Sequence, residues 1–385
     1  PLTPEQREVM ACIETCRTQV LGGHVDVCPD CGHTTAPSYN SCRNRHCPKC
    51  QALDQARWLA SRLDRILPVP YFHVVFTLRA EIKSVALRNR RLIYDLLFST
   101  ESQTLKQLAA DPQRLGALLG ITAVLHTWTR DLRFHPHLHC IVTGGGLSLD
   151  DERWVASSKK FLFPVKVIGK LYRGKFVAGF KRLYRRGQLD LGADESRSDY
   201  LPELCDSLFD KNWVVYCKRP FAGPEQVYAY LGRYTHRVAI SNHRLLSVTD
   251  KAITFLTRDR KTTTLQPHEF IRRFLLHVLP KDYYKIRHYG LLASGNVKTK
   301  LAIAQGLVAA HQTTEHSERA ASGTPSQWQA LLDKLTGIDV RLCPACGGKR
   351  MVRMPIPTVY DFSGKHVELR FKPLVPQSRG PPCGG

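Results

Sequence analysis

The sequence predicts an α+β protein, and three observations predict it. Two Cys-x2-Cys pairs, Cys28–Cys31 and Cys47–Cys50, stand close together near the N-terminus, where little apolar sequence surrounds them. The run Tyr71-Phe72-His73-Val74-Val75-Phe76-Thr77-Leu78 is β-branched and aromatic, the composition of a central strand. Stretches of helical texture lie on both sides of it, the longest from Ser84 to Ala110. A small cysteine-rich module should therefore precede a larger mixed domain.

In chain order, Pro4 to Cys16 and Gln51 to Leu63 read as helices bracketing the cysteine module. After the strand at Tyr71, Ser84 to Ala110 and Gly116 to Trp128 read as two further helices. His137 to Thr143 reads as a second strand, ended by Gly144-Gly145-Gly146. Val227 to His236, shortly after Pro224, reads as a helix, with Val238-Ala239-Ile240 leading toward another strand. Ile253 to Leu265 predicts a hairpin and Pro267 to Leu279 a helix. A Ser/Thr/His-rich linker is expected near 311–326 and a disordered Pro/Gly-rich tail from about Pro373. The expected domains are residues 1–62, 63–250 and 251–385. The chain opens on Pro1 rather than Met, so a short preceding piece is expected.

Charge narrows the function. The 385 residues are 43% hydrophobic and 23% charged, ordinary for a globular protein, but 56 Lys and Arg stand against 33 Asp and Glu. The net charge of +23 points to a polyanion partner, nucleic acid first. No apolar run is long enough to span a membrane and no signal-peptide pattern is visible, so a cytoplasmic, membrane-free, nucleoid-associated protein is expected. Thirteen cysteines, most in close clusters, favour metal ligation over disulfides.

The knuckles Cys28-Pro29-Asp30-Cys31 and Cys47-Pro48-Lys49-Cys50 are separated by fifteen residues, a spacing that suits one structural Zn²⁺ held by all four thiolates. Cys16, His24, Cys42 and His46 are candidates for a second zinc or are core and surface residues. A third knuckle, Cys343-Pro344-Ala345-Cys346, lacks an obvious second pair, with Cys383 and His366 as candidate partners. The module's role is read as DNA binding, with Arg43 and Arg45 suited to phosphate contact.

His137 and His139 flank Leu138 on a strand, so both imidazoles project from one face while Leu138 turns to the core. Two imidazoles do not complete a site for Mg²⁺ or Mn²⁺, which seek about six mostly oxygen ligands. His126, Asp131, His135 and His236 are the candidates for a third ligand. Downstream, Tyr230 and Tyr234 lie one helical turn apart on one face, while Tyr228 points elsewhere. Each pair alone reads as structural. Together they are what a metal-dependent tyrosine nuclease needs: a cation on the scissile phosphate, and phenols that conserve bond energy as a phosphotyrosine ester.

His137-Leu138-His139 followed by three glycines, with Tyr230-Leu231-Gly232-Arg233-Tyr234-Thr235-His236-Arg237, resembles the HUH rolling-circle transposases, nearest the two-tyrosine insertion sequence 91 family related to Helitrons. Asn40 to Cys50 resembles that family's zinc-binding domain, and Phe76-Thr77-Leu78 resembles the first-strand motif of related replication initiators. The resemblance spans about residues 5 to 300. It implies a central antiparallel sheet flanked by helices, with the histidines on a central strand and the tyrosines on a neighbouring helix. It further implies cutting and rejoining of single-stranded DNA at element ends, whose DNA hairpins would be partners. Tyr230 and Tyr234 would be the nucleophiles, and His137 and His139 metal ligands. Residues 1–62 would then be a DNA-recognition module, 63–250 the nuclease and 251–385 an accessory DNA-binding region. Homo-oligomerisation is left open.

Lys159 to Arg186 carries ten Lys or Arg and no acid, interleaved with six aromatics. Its aromatics are expected mostly in the core and its charges mostly toward DNA. Arg272-Arg273 and Lys281 to His288 form a second basic cluster, read equally as a solvated face or a DNA contact. Two other readings stay open: a plasmid or phage replication initiator with the same nuclease, and a non-catalytic zinc-module regulator.

Overall fold

A computed structural model describes residues 2–63, 65–158, 161–192, 199–218, 239–257, 260–312, 342–348 and 351–358. In chain order the main elements are α1 (Pro4–Thr15), β1 (Gly23–Val27), β2 (Ser38–Tyr39), α2 (Ala52–Leu63), β3 (Tyr71–Thr77), α3 (Lys83–Arg88) and α4 (Arg90–Ala110). There follow β4 (Ala117–Trp128), β5 (Phe134–Ser148), β6 (Trp154–Ala156), α5 (Val165–Arg185), α6 (Tyr200–Asp210), β7 (Val215–Lys218) and β8 (Leu245–Val248). The last are β9 (Ile253–Leu256), β10 (Thr262–Leu265), α7 (Pro267–Leu275), β11 (Ile286–Gly290), α8 (Lys300–Gln312) and β12 (Val352–Ile356). They form two compact units, Pro1–Met10 with Arg45–Ser326 and Ala11–Asn44 with Gln327–Gly385. Among the described residues, no helix is long and apolar enough to cross a membrane.

The larger unit is built on an antiparallel sheet with strand order β11-β4-β5-β3-β7, to which β6 adds through β5. Side chains alternate across it, as strand geometry requires. One face presents Phe72, Val74, Phe76, Leu138, Cys140 and Val142 to Leu97 and Phe98 of α4 and Tyr172, Phe176 and Phe180 of α5, all fully or nearly fully buried. Truncating a ring such as Phe176 should cost about 3–5 kcal/mol. The other face carries Tyr71, Val124 and Ile141, covered by Leu291, Leu292 and by Leu301, Ala304 and Val308 of α8. A second antiparallel sheet, β10-β9-β8, contains the expected hairpin, with Ile253 opposite Leu265. The mixed α/β architecture with antiparallel sheets and flanking helices is thus as expected.

Two elements differ from expectation. Residues 116–128, read as a helix, form β4, the strand between β5 and β11. Both faces of β4 are covered, so its sequence is a near-continuous apolar run without alternation, which periodicity alone does not separate from a buried helix. The long helix from Ser84 is broken at Asn89. Its side-chain amide donates to Val85 O at 3.0 Å and Asp190 O at 2.7 Å, while its Oδ1 accepts from Asp190 N–H at 2.9 Å.

The domain limits also differ. In the smaller unit β1 pairs with β2 on one side and with β12 on the other, Gly23 opposite Ile356 through Val27 opposite Val352. Residues 11–44 thus fold with the C-terminal segment, while α2 belongs to the larger unit. The expected 1–62 module had followed chain order, which carries no information on this long-range strand pairing. The 311–326 linker from residue 313 on and the tail lie outside the described residues, as does the expected helix from Val227 to His236.

Candidate metal centre

β4 and β5 are neighbours, and their register puts His126 directly opposite His137 and Val124 opposite His139. His126, His137 and His139 therefore emerge on one face of the sheet. Their candidate ligand atoms all lie within 4.8 Å of one another. Ring centroids are 5.4 Å apart for His126–His137, 4.4 Å for His126–His139 and 4.8 Å for His137–His139. Leu138, between His137 and His139, is fully buried on the opposite face.

His137 and His139 are each oriented through the far nitrogen. His137 Nδ1 donates to the carbonyl of His135 at 2.7 Å, and His139 Nδ1 pairs with His73 Nε2 of β3 at 2.8 Å. The two Nε2 atoms come within 3.1 Å of each other. This is the arrangement metal-ligating imidazoles adopt: one nitrogen fixed by an outer partner, the other turned to the ion. His126 is buried and stacks on Trp128 with centroids 4.6 Å apart.

Electrostatics agree with ligation. Burial, with smaller contributions from neighbouring imidazoles, holds His137 down at about 4 and His139 well below its ordinary value. Burial and the nearby Lys218 take His73 to about 4. All three are neutral at pH 7, the state in which an imidazole has a lone pair to offer. The donor set fits a divalent cation that completes its shell with oxygen from water and substrate.

Of the other candidates for a third ligand, Asp131 is taken by Thr129 Oγ1 at 2.5 Å and Arg133 at 2.6 Å. His135 contributes its backbone oxygen, and His236 lies outside the described residues. Tyr230 and Tyr234 also lie outside the described residues. His73 was not singled out from sequence; its place two residues before Val75, which faces His139, was the available signal.

The cysteines regroup. The expected set of Cys28, Cys31, Cys47 and Cys50 is corrected: Cys28 and Cys31 come together with Cys343 and Cys346 inside the smaller unit. Cys47 and Cys50 are both buried and belong to the larger unit. Spacing had favoured the nearest knuckle, whereas the β1–β12 pairing brings the most distant one. Among the candidates for a second zinc, the Cys42 N–H points at Cys16 Sγ at 3.5 Å. His24 lies 3.9 Å from Asp26, and His46 Nε2 accepts from Leu279 N–H at 3.1 Å.

On α5, Tyr172, Phe176 and Phe180 are buried, whereas Lys166, Lys170, Arg182 and Arg185 are exposed. The second basic cluster is largely spent on structure. Arg272 and Arg273 both bond Glu269, at 2.6 and 2.7 Å; Arg287 pairs with Asp95, and Lys285 is buried.

A family model described as "Putative transposase" matches residues 120–300, which include most of β4 and all of β5, and one described as "Transposase zinc-binding domain" matches residues 1–78. The chain is 44% identical over 365 residues to "Putative transposase y4qJ" of Sinorhizobium fredii (strain NBRC 101917 / NGR234), covering 92% of this chain and 90% of that protein. It is 28% identical over 308 residues to "Transposase for insertion sequence element IS801" of Pseudomonas savastanoi pv. phaseolicola, covering 72% and 68%. No solved structure matches. The zinc-binding domain match and the clustered thiols together support Zn²⁺ as a bound metal. With near-full-length similarity to a transposase and a zinc-binding domain of the insertion sequence 91 type, the chain belongs to the insertion sequence 91 family of transposases.

Proposed function

We propose that the protein nicks and rejoins single-stranded DNA at element ends through covalent 5′-phosphotyrosine intermediates, in a rolling-circle mode of transposition. The observation that carries this reading is the convergence of three imidazoles, His126, His137 and His139, on one sheet face. They would hold Mn²⁺ or Mg²⁺; three nitrogen donors favour Mn²⁺ over the harder, more oxygen-seeking Mg²⁺. When bound, the cation supplies positive charge to the scissile phosphate. His73 and the His135 carbonyl keep the two β5 rings in the ligating orientation.

Tyr230 and Tyr234 are the nucleophiles of this proposal. A phenol oxygen bonds to phosphorus and loses its proton, while the 3′-oxygen of the preceding deoxyribose departs and gains one. Reversal with a new 3′-hydroxyl rejoins the strand, and two phenols allow two ends to be held at once. The exposed cations of α5 would track the backbone of the single strand or of end hairpins. Cys47 and Cys50 remain a candidate zinc-ligand pair, as do Cys16 and Cys42 individually.

The test is incubation with labelled single-stranded end DNA and Mn²⁺ or Mg²⁺. A covalent protein–DNA adduct is expected with the wild type. Its absence defeats the enzymatic reading. Persistence of the adduct in Tyr230→Phe/Tyr234→Phe defeats the assignment of the nucleophiles and leaves the nuclease reading standing.

A further inference from the structure

The C-terminal knuckle repeats the turn of the first one bond for bond. Cys28 N–H donates to His33 O at 2.8 Å and Gly32 N–H to Cys28 O at 2.9 Å. Cys343 N–H donates to Gly348 O at 2.8 Å and Gly347 N–H to Cys343 O at 2.9 Å. Gly32 and Gly347 both occupy the left-handed region, with φ of +73° and +75°, which a side chain would strain. In each knuckle the first thiol is buried and the second exposed.

The two turns face each other with crossed pairing. Cys28 Sγ lies 3.7 Å from Cys346 Sγ, and Cys31 Sγ lies 3.7 Å from Cys343 Sγ. A tetrahedral zinc with Zn–S bonds of about 2.3 Å spaces its sulfurs about 3.8 Å apart. The backbone supports the same closure. β12 is hydrogen-bonded to β1 over its whole length, and Arg353 bonds both oxygens of Asp26 at 3.0 and 3.2 Å. Without β12, β1 would keep, among the described residues, the two-residue β2 and one isolated bridge from Val27 to Thr34, too little sheet to persist in water. Nor does a core replace it: among the described residues of this unit, the only buried apolar side chains are Cys16, Cys28 and Cys343.

We propose that Cys28, Cys31, Cys343 and Cys346 form one tetrathiolate zinc clasp that fastens the C-terminal segment onto the N-terminal module. The clasp draws half its ligands from outside residues 1–78, the region matched as a zinc-binding domain. Folding of the unit and binding of the metal are then one event. The C-terminal segment is part of the zinc module rather than an appendage to it.

Zinc content of the purified full chain tests this by non-additivity. Cys28→Ser/Cys31→Ser and Cys343→Ser/Cys346→Ser should each lose the same single equivalent of zinc, and the quadruple variant no more than either. Loss of two equivalents in the quadruple variant, or full retention in Cys343→Ser/Cys346→Ser, overturns the clasp. Should a variant fail to fold, the wild type answers the question itself. Alkylation of the zinc-loaded chain during stepwise chelator titration, read by peptide mapping, should unmask Cys28, Cys31, Cys343 and Cys346 together. Labelling of Cys343 and Cys346 while Cys28 and Cys31 stay protected would overturn it equally.

Discussion

The histidine centre and the thiol clasp solve the same problem, collecting metal ligands, by opposite means. The three imidazoles stand on strands of a sheet whose back is sealed by a large aromatic core, so their positions are set before any ion arrives. The four thiols stand on two glycine-dependent turns with almost no core behind them, so the ion itself must supply the stability. The difference teaches where metal removal should act: on chemistry in the larger unit, on folding in the smaller.

Chelation is the strongest way to break that contrast. Structural zinc in small modules contributes on the order of 10 kcal/mol. Stripping zinc should therefore abolish amide-exchange protection in β1 and β12 while leaving β4 and β5 protected. Equal loss in both regions would show that the larger unit also folds only with metal.

Next in size is the reverse experiment on the sheet. His137→Ala/His139→Ala should lower the rate of adduct formation by about 10²–10³-fold, the scale of removing a preorganised source of transition-state charge stabilisation. Its circular dichroism and β4–β5 protection should match the wild type, because the large aromatic core lies on the other face. His73→Phe should act more mildly. Removing an outer hydrogen-bond partner typically weakens metal binding about 10–100-fold. Titration of adduct formation with Mn²⁺ should show a raised half-saturating concentration, with His73→Gln partly restoring it.

The smallest effect concerns pH. Glu101 of α4 is fully buried beside the Cys140 thiol, and burial raises its pKa to about 8. A carboxyl raised above its unfolded value of about 4.3 contributes stability that is complete below pH 4 and is lost as pH rises toward 8. The buried histidines, held near 4, pull the other way: their contribution is complete above about pH 6.5 and is lost as pH falls through 4. The wild type minus Glu101→Gln isolates the carboxyl. Its melting temperature should fall relative to the variant as pH rises from 5 to 8. A difference independent of pH would mean that Glu101 does not titrate there.

The two regions were also unequally legible. His137 and His139 could be read as a pair because strand side chains repeat every two residues, and Leu138 buried between them fits that reading. His126 was one candidate among four, and it stood in a segment read as a helix; only the β4–β5 register selects it. The knuckle turns were legible as Cys-x2-Cys, but their pairing was not. Cys28 and Cys346 are separated by 318 positions, and nothing local to either names the other. The aromatic residues of α5 could be assigned to the core because they recur at helical spacing, and Tyr172, Phe176 and Phe180 are buried there.

By itself, then, the sequence determined the chemistry on offer: paired imidazoles on a strand, thiols on tight turns, and a surface rich in cations. Period and turn geometry act over a few residues, so they can be read from a few residues. The tertiary structure alone decided the partners, adding His126 and His73 to the imidazoles and Cys343 and Cys346 to the first knuckle. Partner choice follows from strand register and chain closure, which depend on the burial of the whole sheet and on segments hundreds of residues apart.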